Sequence, residues 1–169
     1  MKPWMRVAAG VGVVVVAGCA GLYGYGSTLP ETHTATVEVH VDGSPAEVEA
    51  RVRDWRAAAS WKRDVQSVEA LPEVAGRARF RECTWECLDL EILPTETSGT
   101  YLTRIVDHPD FGGTWTWRFT PDGAGTRVVL TEDGVVPSPV FRLFMHHVFG
   151  EDANIRGTAE ALRASYGGP

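Results

Sequence analysis

Residues 111–136 constrain this chain more than any other stretch. They read Phe-Gly-Gly-Thr-Trp-Thr-Trp-Arg-Phe-Thr, then Pro-Asp-Gly-Ala-Gly, then Thr-Arg-Val-Val-Leu-Thr-Glu-Asp-Gly-Val-Val. Trp115, Trp117 and Phe119 stand two apart, so in a strand they project to one face, with Thr114, Thr116, Arg118 and Thr120 on the other. The middle is turn chemistry: Pro121 presets one φ, and Gly123 and Gly125 tolerate positive φ. Residues 126–132 then resume as a strand rich in β-branched side chains. With the loop at residues 122–125, Phe119 pairs near Val128, Trp117 near Leu130 and Trp115 near Glu132. The aromatic face of the hairpin therefore carries one acid.

The segment C-terminal to the hairpin supplies its cover. Ser138 followed by Pro139 is an N-cap with proline at the first helical position. From there Phe141, Phe144, Met145, Val148, Ile155, Ala159, Leu162 and Tyr166 fall on one broad helical stripe. Asp152 lies within it, and Gly150 and Gly157 interrupt it, so a bend is expected there. Ahead of the hairpin, residues 34–41 alternate Ala35, Val37, Val39 and Val41 against Thr36, Glu38 and His40, a strand with one buried face. Ser44-Pro45-Ala46-Glu47 is a capping box opening a helix on which Val48, Val52 and Trp55 share a face. Runs at 65–71, 77–83, 87–93 and 101–107 are separated by Pro72, Gly76, Pro94 and Gly99, the rhythm of an antiparallel meander.

The segments Phe-Gly-Gly-Thr-Trp-Thr at 111–116, Gly-Thr-Arg-Val-Val-Leu-Thr-Glu-Asp-Gly at 125–134 and Ser-Pro-Val-Phe-Arg at 138–142 resemble the polyketide cyclase/dehydrase branch of the START-like (SRPBCC) superfamily. Ser44-Pro45-Ala46-Glu47-Val48, Asp54 and Trp61 extend the resemblance, which covers residues 33–166. It implies an α+β helix-grip fold, an antiparallel sheet of about six to seven strands curved around a long C-terminal helix, with a cavity for a hydrophobic ligand. It implies little about activity, because the superfamily includes lipid carriers, cyclases, hydrolases and simple binders.

The chain has 169 residues, of which 44% are hydrophobic and 22% charged, enough for one domain with its own core. A net charge of −6 leaves no basic surface to compensate phosphates, so nucleic acid is excluded as a partner. The N-terminus is the second informative stretch. Lys2 and Arg6 precede residues 7–25, which carry no charge, and the next Lys or Arg is Arg51. A spanning helix needs about 20 apolar residues, and the charge asymmetry would put the N-terminus in the cytoplasm and the domain outside. Val16-Ala17-Gly18-Cys19 also resembles a lipobox, which would make the segment a lipoprotein signal anchored at Cys19. The spanning reading is favoured because apolar residues continue past Cys19 through Leu22 and Tyr23. Residues 1–26 are thus expected to be a transmembrane anchor or lipoprotein signal, 27–33 a linker and 34–166 the helix-grip domain.

Candidate chemistry is sparse. Cys83 and Cys87 would face each other across a three-residue hairpin loop, either as a disulfide in an oxidising compartment or as two small buried hydrophobes. Two cysteines at that spacing do not make a metal site, and no cofactor motif or announced nucleophile occurs. The carboxylates carry more. Glu82 shares a face with Phe80 and Glu132 with Leu130, so both are expected to enter the interior, with Asp152 approaching from the helix. Buried carboxylates need partners, and Arg104 is the candidate. The alternative is a structural ion pair tying strands together. The expected ligand-binding set is Phe80, Glu82, Arg104, Trp115, Trp117, Glu132, Phe144, Val148 and Asp152.

The expectation is a membrane-tethered carrier or sensor that binds a small hydrophobic or amphipathic molecule without covalent chemistry. A cyclase- or dehydratase-like enzyme using the carboxylates as acid and base is a second reading. A non-catalytic envelope scaffold with a filled interior is a third. Oligomeric state is not legible.

Overall fold

A computed structural model describes the backbone of residues 3–150 and 152–168 and the side chains of residues 14–148, 150 and 152–168. Seven strands form one antiparallel sheet: β1 (Thr32–Val41), β2 (Ser67–Val74), β3 (Arg77–Cys83), β4 (Cys87–Leu93), β5 (Thr100–Val106), β6 (Gly112–Asp122) and β7 (Gly125–Val135). Their order is β1-β7-β6-β5-β4-β3-β2, so the meander runs in sequence from β2 to β7 and β1 closes beside β7. The central hairpin has the expected register, with Phe119 opposite Val128, Trp117 opposite Leu130 and Trp115 opposite Glu132. Its turn is tight, Asp122 still pairing with Gly125, and Gly123 takes a φ of +61° that a side chain would resist. β2 is irregular where Pro72 falls, and its register with β3 shifts between Leu71 and Val74.

Helix α1 (Pro3–Thr28) precedes the sheet, and α2 (Pro45–Arg53) with a 3₁₀ turn (Trp55–Ser60) lies between β1 and β2. The capping box of α2 is complete: Ser44 Oγ accepts from the Glu47 N–H while the Glu47 carboxylate accepts from the Ser44 N–H. On the inner face of the sheet Val41, Val128, Leu130, Trp117, Phe119 and Tyr101 pack with Val48 and Val52 of α2 and with Ile155, Ala161 and Leu162. A second cluster, Trp55, Phe80 and Leu90, fills the β3–β4 side, with the Trp55 and Phe80 rings stacked at 4.8 Å. Trp115 packs against both.

The expected long C-terminal helix is two separate pieces. Helix α3 (Pro139–Phe144) widens into a π turn (Met145–Phe149), Gly150 reverses the chain at φ +82°, and α4 (Ala153–Ala164) begins afresh. A π turn holds one residue more than an α turn, which rotates everything after it onto a new face. Gly157 lies uninterrupted inside α4. The consequence is a division of partners: α4 packs on β1 and β7, and α3 packs on α1.

Contacts at Gly26 and Arg142, with Tyr25 against His147, hold the foot of α1 and the turn after it to α3 and its π turn. Gly26 is buried where an added Cβ would run into the Pro139 carbonyl and the Leu143 side chain. Arg142 donates to the carbonyls of Val136 (2.8 Å), Leu29 (3.1 Å) and Pro137 (2.7 Å) and to Glu31 (3.3 Å). Among the described residues no helix is long and apolar enough to cross a membrane. Of the anchor expected at residues 1–26, the first half, residues 1–13, has side chains outside the described set.

Candidate functional site

The inner face of the sheet carries a group of buried polar side chains where β1, β7 and β6 lie side by side. Glu132 stands between Ala35 and Trp115 in register, and His33 is two pairs further along on the same face, opposite Gly134. A Cβ at Gly134 would collide with the His33 imidazole, so glycine there makes room for the ring. His33 Nε2 and Glu132 Oε1 are 3.8 Å apart, with their side chains 11% and 14% exposed. That is too long for a hydrogen bond. His33 Nε2, Glu132 Oε2 and Trp115 Nε1 are all buried with no hydrogen-bond partner. Burial pushes the Glu132 carboxyl above its ordinary range. The Trp115 N–H and His33 pull it part of the way back, although the indole misses hydrogen-bonding geometry. Unpaired buried polar groups are rare in folded proteins, and each calls for an explanation.

Two openings lie near the broken helix. Leu29, Pro30, His33, Val136, Arg142, Met145 and His146 line a cavity of about 20 Å³, room for one water. Beyond His146, an open cleft of about 430 Å³ runs along β1, lined by Thr34, Ala35, Thr36, His146 and Asp152. The cleft is shallow and open to solvent.

The other residues expected at the site are dispersed. Arg104 points to the outer face, where it donates to Glu91 at 2.5 Å, and it does not meet Glu132. Alternation along β5 decides this: Tyr101 and Thr103 face inward, so Arg104 cannot. Glu82 faces inward but is held by Lys62 at 2.8 Å, 20 residues away in sequence. Phe80 and Trp117 are core residues, 3% and 5% exposed. Phe144 and Val148 are 48% and 64% exposed, because α3 packs on α1 rather than on the sheet and the π turn continues from it. Asp152 pairs with Arg156 one helical turn on, and lines the open cleft. Cys83 and Cys87 are joined by a disulfide across the β3–β4 loop. Only Trp115 and Glu132 of the expected set come together.

Two features escaped sequence reasoning. His33 lies in phase with Ala35, Val37 and Val39, and starting the first strand one residue earlier would have placed it inside. Glu91 is wholly buried on the outer face under Arg77, Arg79 and Arg104. Burial pushes its carboxyl up, and the hydrogen bonds from Arg104, Arg77 and Arg79 outweigh that and hold it below the usual carboxylate range. The alternation of Arg77, Arg79 and Arg81 against Asp89 and Glu91 was the available signal. Among the described residues no three His, Cys, Asp or Glu side chains are grouped to hold a metal ion.

A seven-stranded antiparallel sheet gripping a C-terminal helix, with an interior polar station, defines a START-like domain. The sequence matches the family described as polyketide cyclase / dehydrase and lipid transport over residues 32–167, and the chain belongs to that family. Solved structures share the fold at low identity. A START superfamily protein from Mycobacterium smegmatis is 16% identical with a TM-score of 0.65, over 80% of this chain and 97% of its own. The Zhui aromatase/cyclase from Streptomyces is 18% identical with a TM-score of 0.67, over 80% and 94%. A protein from Thermus thermophilus is 21% identical with a TM-score of 0.62, over 79% and 99%. No curated protein matches the chain.

Proposed function

We propose that this domain binds a small amphipathic molecule, whose polar end is received by His33, Trp115 and Glu132. The observation that carries this reading is the trio of buried polar atoms without hydrogen-bond partners, gathered on neighbouring strands of the inner face. The family description spans ring-forming chemistry and lipid transport, and both handle largely apolar molecules with a polar end.

Glu132→Gln tests the reading. The folded-state pKa of Glu132 lies above its ordinary 4.5, so the folded protein keeps that proton longer than the unfolded chain does. Its contribution to stability is therefore complete below 4.5 and is lost as pH rises through the folded value. Glutamine does not ionise, so the variant should match wild type in acid and exceed it at neutral pH and above. Affinity for a neutral naphthol-type probe should fall about tenfold, the worth of one charge-assisted hydrogen bond. A variant equal to wild type in both measurements removes Glu132 from the site. The raised carboxyl beside His33 also supports a second reading, an acid–base pair of an enzyme. Retained binding with turnover abolished in the same variant would select it.

The domain is further proposed to be held at a membrane by its N-terminal segment. Support comes from the charge-free residues 7–25, from the exposed Val14, Val15, Val16 and Leu22 of α1, and from a disulfide that suits an extracytoplasmic setting. Co-sedimentation of the full chain with phosphatidylcholine vesicles is the expected result. Expressed in a bacterial host, Cys19→Ser should lose membrane retention if attachment is by a lipid on Cys19, and keep it if the helix itself inserts. A chain that stays in solution in both tests overturns the tether.

A further inference from the structure

We propose that the end of the domain bearing Trp85, Phe111 and α3 is a bilayer-seated rim, resting on zwitterionic lipid at headgroup level. The inference rests on the tether reading and extends it from the N-terminal segment to the folded domain. Trp85 is 79% exposed at the centre of a three-residue loop, which the Cys83–Cys87 disulfide and the Thr84 N–H to Glu86 carbonyl bond (2.8 Å) close. A large apolar ring held out in water by a covalently closed turn cannot fold back to hide itself.

The ring is not isolated. Trp85 meets Phe111 edge-on at 6.4 Å, and Phe111 meets Phe141 at 5.2 Å, so the aromatic line runs from the β3–β4 loop through the β5–β6 loop to α3. His108 fixes the two loops to each other. Its Nδ1 accepts from the Asp110 and Phe111 N–H groups at 3.2 and 3.1 Å, and its Nε2 lies 3.2 Å from Glu86 Oε1. On α3 and the turn after it, Val140, Phe144 and Val148 are 44%, 48% and 64% exposed at four-residue spacing, one face of the helix.

The occupant of this rim is indicated by its neighbour. α3 is the element to which the foot of α1 is docked, through Gly26 against Pro139 and through Tyr25 Oη, 3.2 Å from His147 Nε2. The charge-free segment and the aromatic rim therefore share one end of the molecule, and a bilayer holding the former meets the latter. Trp is the residue most at home at the boundary between headgroups and acyl chains. Glu86, Asp107 and Asp110 flank the aromatic line, which disfavours an anionic lipid surface and leaves a zwitterionic one.

The test uses the full chain in phosphatidylcholine vesicles, with and without bromine on the upper acyl carbons, comparing wild type with Trp85→Phe. Subtracting the variant isolates Trp85 from the five other tryptophans of the chain. Its emission should be quenched about twofold or more by brominated lipid, as for a ring at headgroup depth, and adding phosphatidylserine should not increase the effect. Retention on vesicles with an unquenched Trp85 component overturns the rim and leaves the tether standing. Failure to be retained overturns the tether, and the rim with it. Shielding of Trp85 without lipid, growing with protein concentration alongside a heavier species in ultracentrifugation, assigns the surface to a second copy and also overturns the proposal.

Discussion

Leu162→Ala is expected to destabilise the domain by about 2–5 kcal/mol, read by urea unfolding, while Phe144→Ala stays within about 0.5 kcal/mol of wild type. The two residues fall on the same stripe when the C-terminal stretch is read as one helix, and by that reading both would be core. In the structure Leu162 is wholly buried among Val41, Val48, Trp117 and Leu130 on the inner face of the sheet. Removing its branched end leaves a cavity lined by β-branched and aromatic groups that are themselves fixed by the ladder, so collapse is limited and the upper half of the range applies. Phe144 precedes the π turn and is 48% exposed. Similar losses for both variants would mean that α3 and α4 act as one continuous helix on the sheet.

Arg142→Ala is expected to cost about 2–4 kcal/mol, since hydrogen bonds from a charged donor are worth about 1.5–3 kcal/mol each and several share one guanidinium. The side chain is 11% exposed, while its one acidic partner, Glu31, is 54% exposed, so the three carbonyls dominate and the ion pair adds little. Those carbonyls belong to Leu29, Val136 and Pro137, and alanine leaves them without their donor. Arg142→Lys should recover only a fraction, because an ammonium cannot reach three divergent oxygens as the planar fork does. The loss should also be local: limited proteolysis near residues 26–31 should accelerate more than the global change in stability predicts. A variant with unchanged unfolding and unchanged cleavage would show that the α1–α3 junction is held by Gly26 packing alone.

The hairpin register and the α2 cap were readable from sequence because both depend on neighbours a few residues away. Alternation of Trp115, Trp117 and Phe119, a turn written in Pro, Asp and Gly, and Ser44 three residues before Glu47 each specify geometry locally. The site was less readable because it depends on which face of each strand turns inward. Period-two alternation separates Arg104 from Thr103 but does not say which of them meets Glu132. The one-residue choice of where β1 begins decided whether His33 was seen as inside. Gly150 marked the reversal of the chain, but the π turn after Phe144 was hidden for a related reason. Helical spacing counts apolar positions without saying what covers them, and a π turn changes the phase without changing the composition.

The irregular β2 has a consequence for how closely such domains can crowd. A surface that collects molecules in two dimensions raises their local concentration, and an open, flat β edge would then template strand-to-strand growth. β2 is the outer strand on the side away from β1, and it is ill suited to that. Pro72 removes one backbone donor, the register shift between Leu71 and Val74 twists the edge, and Glu69 and Glu73 place like charges along it. Two copies brought edge to edge would meet missing hydrogen bonds and mutual repulsion rather than a partner strand.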